Sequence, residues 1–165
     1  MNFASAKKLI VSGITGQAFV SAAAAIYPLI YPGIAFPIFV TIYSLISTAM
    51  AVLGFVILFF TQSNILDLGI AGGLIISAIP TAVVLIAGTA LHGGLFAVLC
   101  ALYIAVWAFK NFTRGNLILT LILGAAFILS VLMGFGVFPS PIIRAASAVA
   151  AAGAEAIAAY REKEE

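Results

Sequence analysis

Charge is what this sequence has least of. Of its 165 residues, seven are Lys or Arg and five are Asp or Glu, 7% together. Soluble domains carry roughly 25%, and between Leu9 and Ile143 only Asp67, Lys110 and Arg114 are charged. A water-facing surface cannot be built from that, so a soluble globular protein is excluded. Cys100 and His92 each stand alone. One chain therefore forms no internal disulfide, no Cys-based zinc or iron–sulfur site, and no bis-histidine haem or multi-histidine metal site. No basic run is long enough to track phosphates, which excludes nucleic acid as a partner. The sequence shows no Ser/His/Asp set, paired carboxylates, HExxH or phosphate-cradling glycine motif. These absences argue against an enzyme acting on its own, though not against a place within an enzyme complex. No catalytic residue, metal ligand or cofactor is expected.

What is present is apolar. The chain is 65% hydrophobic, with a mean hydropathy of +1.30. Crossing the roughly 30 Å hydrocarbon core of a bilayer takes about 20 apolar helical residues. Proline, glycine and polar residues divide the chain into five such stretches: Leu9 to Tyr31, Ala35 to Phe60, Leu68 to Leu91, Leu95 to Phe109 and Leu117 to Phe138. The expected architecture is an all-α polytopic transmembrane helix bundle over residues 1–138. An Ala-rich amphipathic helix and charged tail follow over residues 139–165. Lys7 and Lys8, then an apolar stretch and the small residues Ser21 to Ala25, imitate a signal peptide. The apolar run continues through Tyr27 and Ile30, so it reads as a retained span.

The Lys/Arg bias of short loops sets orientation. Five spans put Lys7, Lys8, Lys110 and Arg114 on one face, with the N-terminus inside and the C-terminus outside. If the first stretch is re-entrant, four spans remain and both ends share a side. Asn111-Phe112-Thr113 matches a glycosylation sequon, but it lies too near both helix ends for a modifying enzyme to reach easily.

In lipid, helices associate through small residues and interhelical hydrogen bonds. The third stretch steps Gly69, Gly73, Ser77 and Thr81 along one face, with Pro80 breaking its ladder. The first stretch steps Gly13, Gln17, Ser21 and Ala25, and the second offers Thr41, Ser44 and Thr48. These faces read as helix-packing surfaces, and as a polar-lined pathway in second place. Gln17, deep in an apolar span, needs a hydrogen-bond partner. Tyr103, Trp107 and Lys110 read as interfacial anchors, the lysine snorkelling. Phe96, Cys100, Tyr103 and Trp107 share a face on which a quinone or lipid tail would fit. Asp67 reads as a helix N-terminal carboxylate favoured by the dipole.

On the C-terminal helix, Ile142, Ala146, Val149, Gly153, Ile157 and Tyr160 form one stripe, opposite Arg144, Glu155 and Glu162. The stripe reads as a docking face, for a partner or another copy, with a sixth membrane-embedded helix as the alternative. The expected function is accordingly a non-catalytic structural or accessory subunit of a larger membrane assembly, a respiratory complex or a lipid-containing particle. Its partners are lipids and other membrane subunits or copies of itself. A channel or carrier for a small neutral solute is the alternative, using Gln17, Ser77, Thr81 and the Pro80 break.

Overall fold

The computed structural model describes residues 2–87 and 94–163, with side chains described throughout except at 81–87 and 94. His92 and the side chain of Thr81 lie outside these, as does the end of the expected third span. Six helices account for the described chain: α1 (Phe3–Ile30), α2 (Ile38–Gln62), α3 (Ile65–Ala87), α4 (Gly94–Thr113), α5 (Leu117–Gly134) and α6 (Pro141–Tyr160). There are no strands among the described residues.

Local chemistry sets the helix ends. Asn2 caps α1 by accepting the Ser5 amide at 3.0 Å. The turn after α4 passes through Gly115 at φ +72° and the turn after α5 through Gly136 at φ +69°, where a Cβ would be strained. Ser140 then precedes Pro141, which starts α6 at a position where its missing amide proton costs little. Pro28 and Pro80 both lie inside their helices.

Each helix packs on its neighbours in the chain, and α6 closes against α1. The result is a ring of six helices in alternating directions. Small residues set its seams. A Cβ on Gly13 would stand 2.5 Å from the Ser47 carbonyl and 2.6 Å from the Ala51 nitrogen, and one on Gly54 would stand 2.9 Å from the Ala6 carbonyl. These glycines let α1 and α2 approach backbone to backbone. On α3, a Cβ on Gly73 would press on Tyr103 and one on Gly69 on Val106, so this small-residue face meets α4. Large apolar side chains cover the outside, among them Phe19, Phe60, Leu95 and Leu121.

Five helices are long and apolar enough to cross a membrane: α1, α2, α4, α5 and α6. The C-terminal helix counts among them; α3 runs Ile65–Ala87, and side chains are described over its apolar stretch Ile65–Pro80. The protein is thus an all-α, multi-pass membrane bundle in which residues 139–165 supply a helix of the ring itself. Within the ring, the expected docking stripe of α6 lies on the outside of the bundle. Ile142, Val149, Ile157 and Tyr160 face outward, while Ser147, Ala151, Ala152, Glu155, Ala158, Ala159 and Glu162 are buried. Lipid makes the reason plain: outside the ring the solvent is hydrocarbon, so the bulky apolar stripe faces out and the polar groups turn in.

An even ring brings the two ends of the chain together. Lys7 Nζ lies 5.8 Å from the Tyr160 ring centroid, and Lys7, Arg161 and Lys163 line one polar cavity. The two ends of the chain thus lie at the same end of the described bundle. Epitope tags at the two ends should therefore show the same accessibility to antibody in sealed, oriented vesicles; opposite accessibility would contradict the six-helix ring.

Candidate functional site

The ring is bridged across its interior by side chains rather than backbone. Tyr103, Trp107 and Lys110 follow one another at helical spacing on α4, while Glu155 lies on α6 and Glu162 just beyond its end. The two faces meet as a ladder. The Tyr103 hydroxyl donates to Glu155 Oε2 at 2.7 Å, and Trp107 Nε1 donates to Glu162 Oε2 at 3.3 Å. Lys110 Nζ pairs with both Glu162 Oε1 and Asp67 Oδ1.

Lys110 is therefore the centre of a buried ion cluster. Arg114 Nη1 adds a second cation at 2.7 Å from Glu162 Oε1, and Arg114 Nη2 donates to Gln62 Oε1 at 3.1 Å. Among the described residues the cluster holds two carboxylates and two cations. Asp67 and Lys110 are fully buried, and Phe55 packs against both Trp107 (edge to face, 5.2 Å) and the Lys110 ammonium. A charge this far from water persists only with partners at hydrogen-bond distance. Asp67 thus does more than favour a helix dipole.

The anchor assignment of Tyr103, Trp107 and Lys110 is corrected by this geometry. Trp107 and Lys110 are fully buried. Their face of α4 points into the ring, towards acids on α3 and α6, and the lysine does not snorkel outward. The face expected to hold a quinone or lipid tail is the same inward face. Asn111 is buried too and donates to the Trp107 carbonyl at 3.1 Å, so the sequon asparagine is not presented to solvent.

Beyond Tyr103 lies a chamber of about 100 Å³, lined by Gln17, Ser21, Ser44, Thr48, Ser77, Tyr103 and Glu155 among others. Five helices contribute to it. Gln17 finds the partners its depth demands: its amide donates to the Ser44 carbonyl and to Thr48 Oγ1, both at 2.6 Å. Ser44 Oγ donates back to Gln17 Oε1 at 3.3 Å. Ser77 Oγ donates to the Leu74 carbonyl at 2.7 Å. An adjoining cavity of about 280 Å³ shares Gln17, Ser77 and Tyr103 and continues past Cys100 to Ala97 and Ser130. It leads away from the ion cluster, towards the start of α4 and the end of α5.

The expected packing residues thus separate by role. Gly13, Gly69 and Gly73 sit in helix seams, whereas Gln17, Ser21 and Ser77 line the chamber. Gly153 sits on α6 where a Cβ would meet nothing within 4 Å. Sequence reasoning missed Glu155 and Glu162 as interior groups. The signal was there for Glu155: a lone carboxylate within a segment apolar enough to span, Pro141–Tyr160. No three His, Cys, Asp or Glu side chains among the described residues are placed to hold a metal ion. Compared with known proteins, the chain matches no family model, no curated protein and no solved structure.

Removing the central cation should be severe. Lys110→Met leaves Asp67 and Glu162 buried without their shared partner, and breaking such a pair costs about 3–5 kcal/mol. Thermal unfolding in detergent micelles should show a large drop in midpoint. Combining Lys110→Met with Asp67→Asn should recover part of it, because one orphaned charge is gone. A single variant as stable as the parent would contradict the buried cluster.

Proposed function

We propose that the protein is a membrane carrier or channel for a small polar solute, which occupies the chamber between Gln17 and Glu155. The observation that carries this reading is the chamber itself: an enclosed polar space, lined from five helices, inside a bundle whose outside is almost wholly apolar. Polar and ionisable groups within a membrane are expensive and mark substrate or ion pathways by default. Packing alone would be served by alanine, as it is at Ala151, Ala158 and Ala159 of α6.

Size narrows the solute. A space of about 100 Å³ holds several waters and suits a small solute such as water, ammonia, urea or a partly hydrated ion. Pro80 supports movement on α3, since it removes a backbone donor one turn beyond Ile76, beside the chamber residue Ser77. Orientation follows from charge. Of the seven Lys and Arg residues, all but Arg144 belong to the end of the ring that carries both termini. The positive-inside bias puts that end in the cytoplasm.

The second reading keeps the chain as a non-catalytic subunit of a larger membrane assembly. Gly153 favours it, because it forms an open notch between the exposed Val149 and Ile157 where a helix of a partner or of another copy would fit. Glu155, a carboxyl group buried within the bundle, weighs against it.

Purified protein in liposomes tests the first reading by stopped-flow light scattering with water, urea and ammonium gradients. At least one of these should equilibrate faster than in protein-free vesicles, and Ser77→Leu, which fills the chamber, should abolish the gain while the protein remains folded. Rates equal to those of empty vesicles for every solute would overturn it.

A further inference from the structure

Glu155 differs from the other buried carboxylates in its company. Asp67 and Glu162 share Lys110, and Glu162 also has Arg114. Glu155 is 7% exposed, and among the described residues no Lys, Arg or His forms an ion pair with it. Its recorded partner is the Tyr103 hydroxyl. The titratable groups facing this region are Tyr103 and, in the adjoining cavity, Cys100, both from α4. From the other elements α1 presents Gln17, α2 presents Ser44 and Thr48, and α3 presents Ser77; α5 contains no ionisable residue.

An ionised carboxylate in such surroundings requires a countercharge, and without one it takes up a proton. We propose that Glu155 is a binding site for one positive charge, a proton or a small monovalent cation, and that this charge is what couples passage through the chamber. This rests on the carrier reading above and names its coupling ion. The exchange balances. The neutral carboxylic acid releases its proton towards the open cavity and the carboxylate then holds one cation, so the site stays neutral in both states. Oxygen donors suited to a hard cation line the same chamber: the hydroxyls of Ser44, Thr48, Ser77 and Tyr103, and the Gln17 side-chain carbonyl.

A second cavity of about 280 Å³ shares Gln17, Ser77 and Tyr103 with the chamber and extends to Ala97 and Ser130. On the other side Phe55, Trp107 and Lys110 are fully buried, so the Lys110 cluster closes that end of the described interior.

The test uses two readouts on the full-length protein. In the first, infrared spectroscopy in lipid follows the carbonyl band of a protonated carboxylic acid during titration with choline as the only cation, then on adding sodium at fixed pH. Wild type should show a band that is lost as pH rises, and a cation site for sodium would make sodium displace it at a pH where choline does not. Glu155→Gln keeps the side-chain size and should abolish that change; Glu155→Asp should restore it, and Tyr103→Phe should shift its midpoint. In the second, liposomes carrying a pH dye or a sodium dye report ion movement driven by an imposed gradient. Wild type should exceed Glu155→Gln at least tenfold in one of the two. A titration identical in wild type and Glu155→Gln would overturn the ion site even if solute flux persisted. A Glu155-dependent titration without any flux would keep the site and overturn the carrier reading.

Discussion

A lysine held between two carboxylates inside a membrane bundle is the interaction on which the rest of this structure depends. Lys110 ties α4 to Asp67 at the start of α3 and to Glu162 just beyond α6. Without that tie, α4 and α6 have little reason to face each other, since they lie across the ring and do not pack backbone to backbone. The cluster closes one end of the interior and shields itself with Phe55 and Trp107. Its electrostatic gain is offset by the desolvation of four charges, so its contribution is best understood as specificity: one register of α6 satisfies it, and others strand a charge in hydrocarbon.

That register decides what the interior can do. With α6 turned so that Glu162 meets Lys110, Glu155 falls two turns deeper, opposite Tyr103 and within the chamber bounded by Gln17 and Ser77. The alanines between them keep α6 slim enough to leave room there. The closed end and the polar chamber are thus two consequences of one helix face. On the outside, the same helix gives lipid a stripe of Ile142, Val149, Ile157 and Tyr160.

Much of the fold was legible in the sequence. Membrane residence, the first five helices to within a few residues at most ends, and the small-residue seam on α3 follow from composition, breakers and four-residue spacing. The partner for Gln17 was implied by its depth, and Ser44 and Thr48 already stood on one face of α2. What was not legible was direction. An amphipathic stripe shows that a helix has two faces but not which medium each meets, and the rule learned in water inverts in lipid. For the same reason Tyr103, Trp107 and Lys110 looked like an interfacial belt. Their spacing was correctly recognised as one face, but the acids that draw this face inward lie 43 to 55 residues away, and no local pattern reports such a pairing. Glu155 went unnoticed because it was read as the solvent side of a docking helix.

The orientation of α6 is the most direct thing to measure. Single spin labels placed in turn at positions 142 to 160 can be scanned for collisions with oxygen, which dissolves in lipid, and with a water-soluble nickel complex. Labels at Ile142, Val149 and Ile157 should collide freely with oxygen, while those at Ser147, Ala151 and Ala158 should be shielded from both. The period should be that of a helix, with its lipid-exposed phase on the isoleucine stripe. The opposite phase, with the alanine and glutamate face open to the nickel complex and the stripe shielded, would mean that α6 lies outside the ring, and the polar interior would go with it.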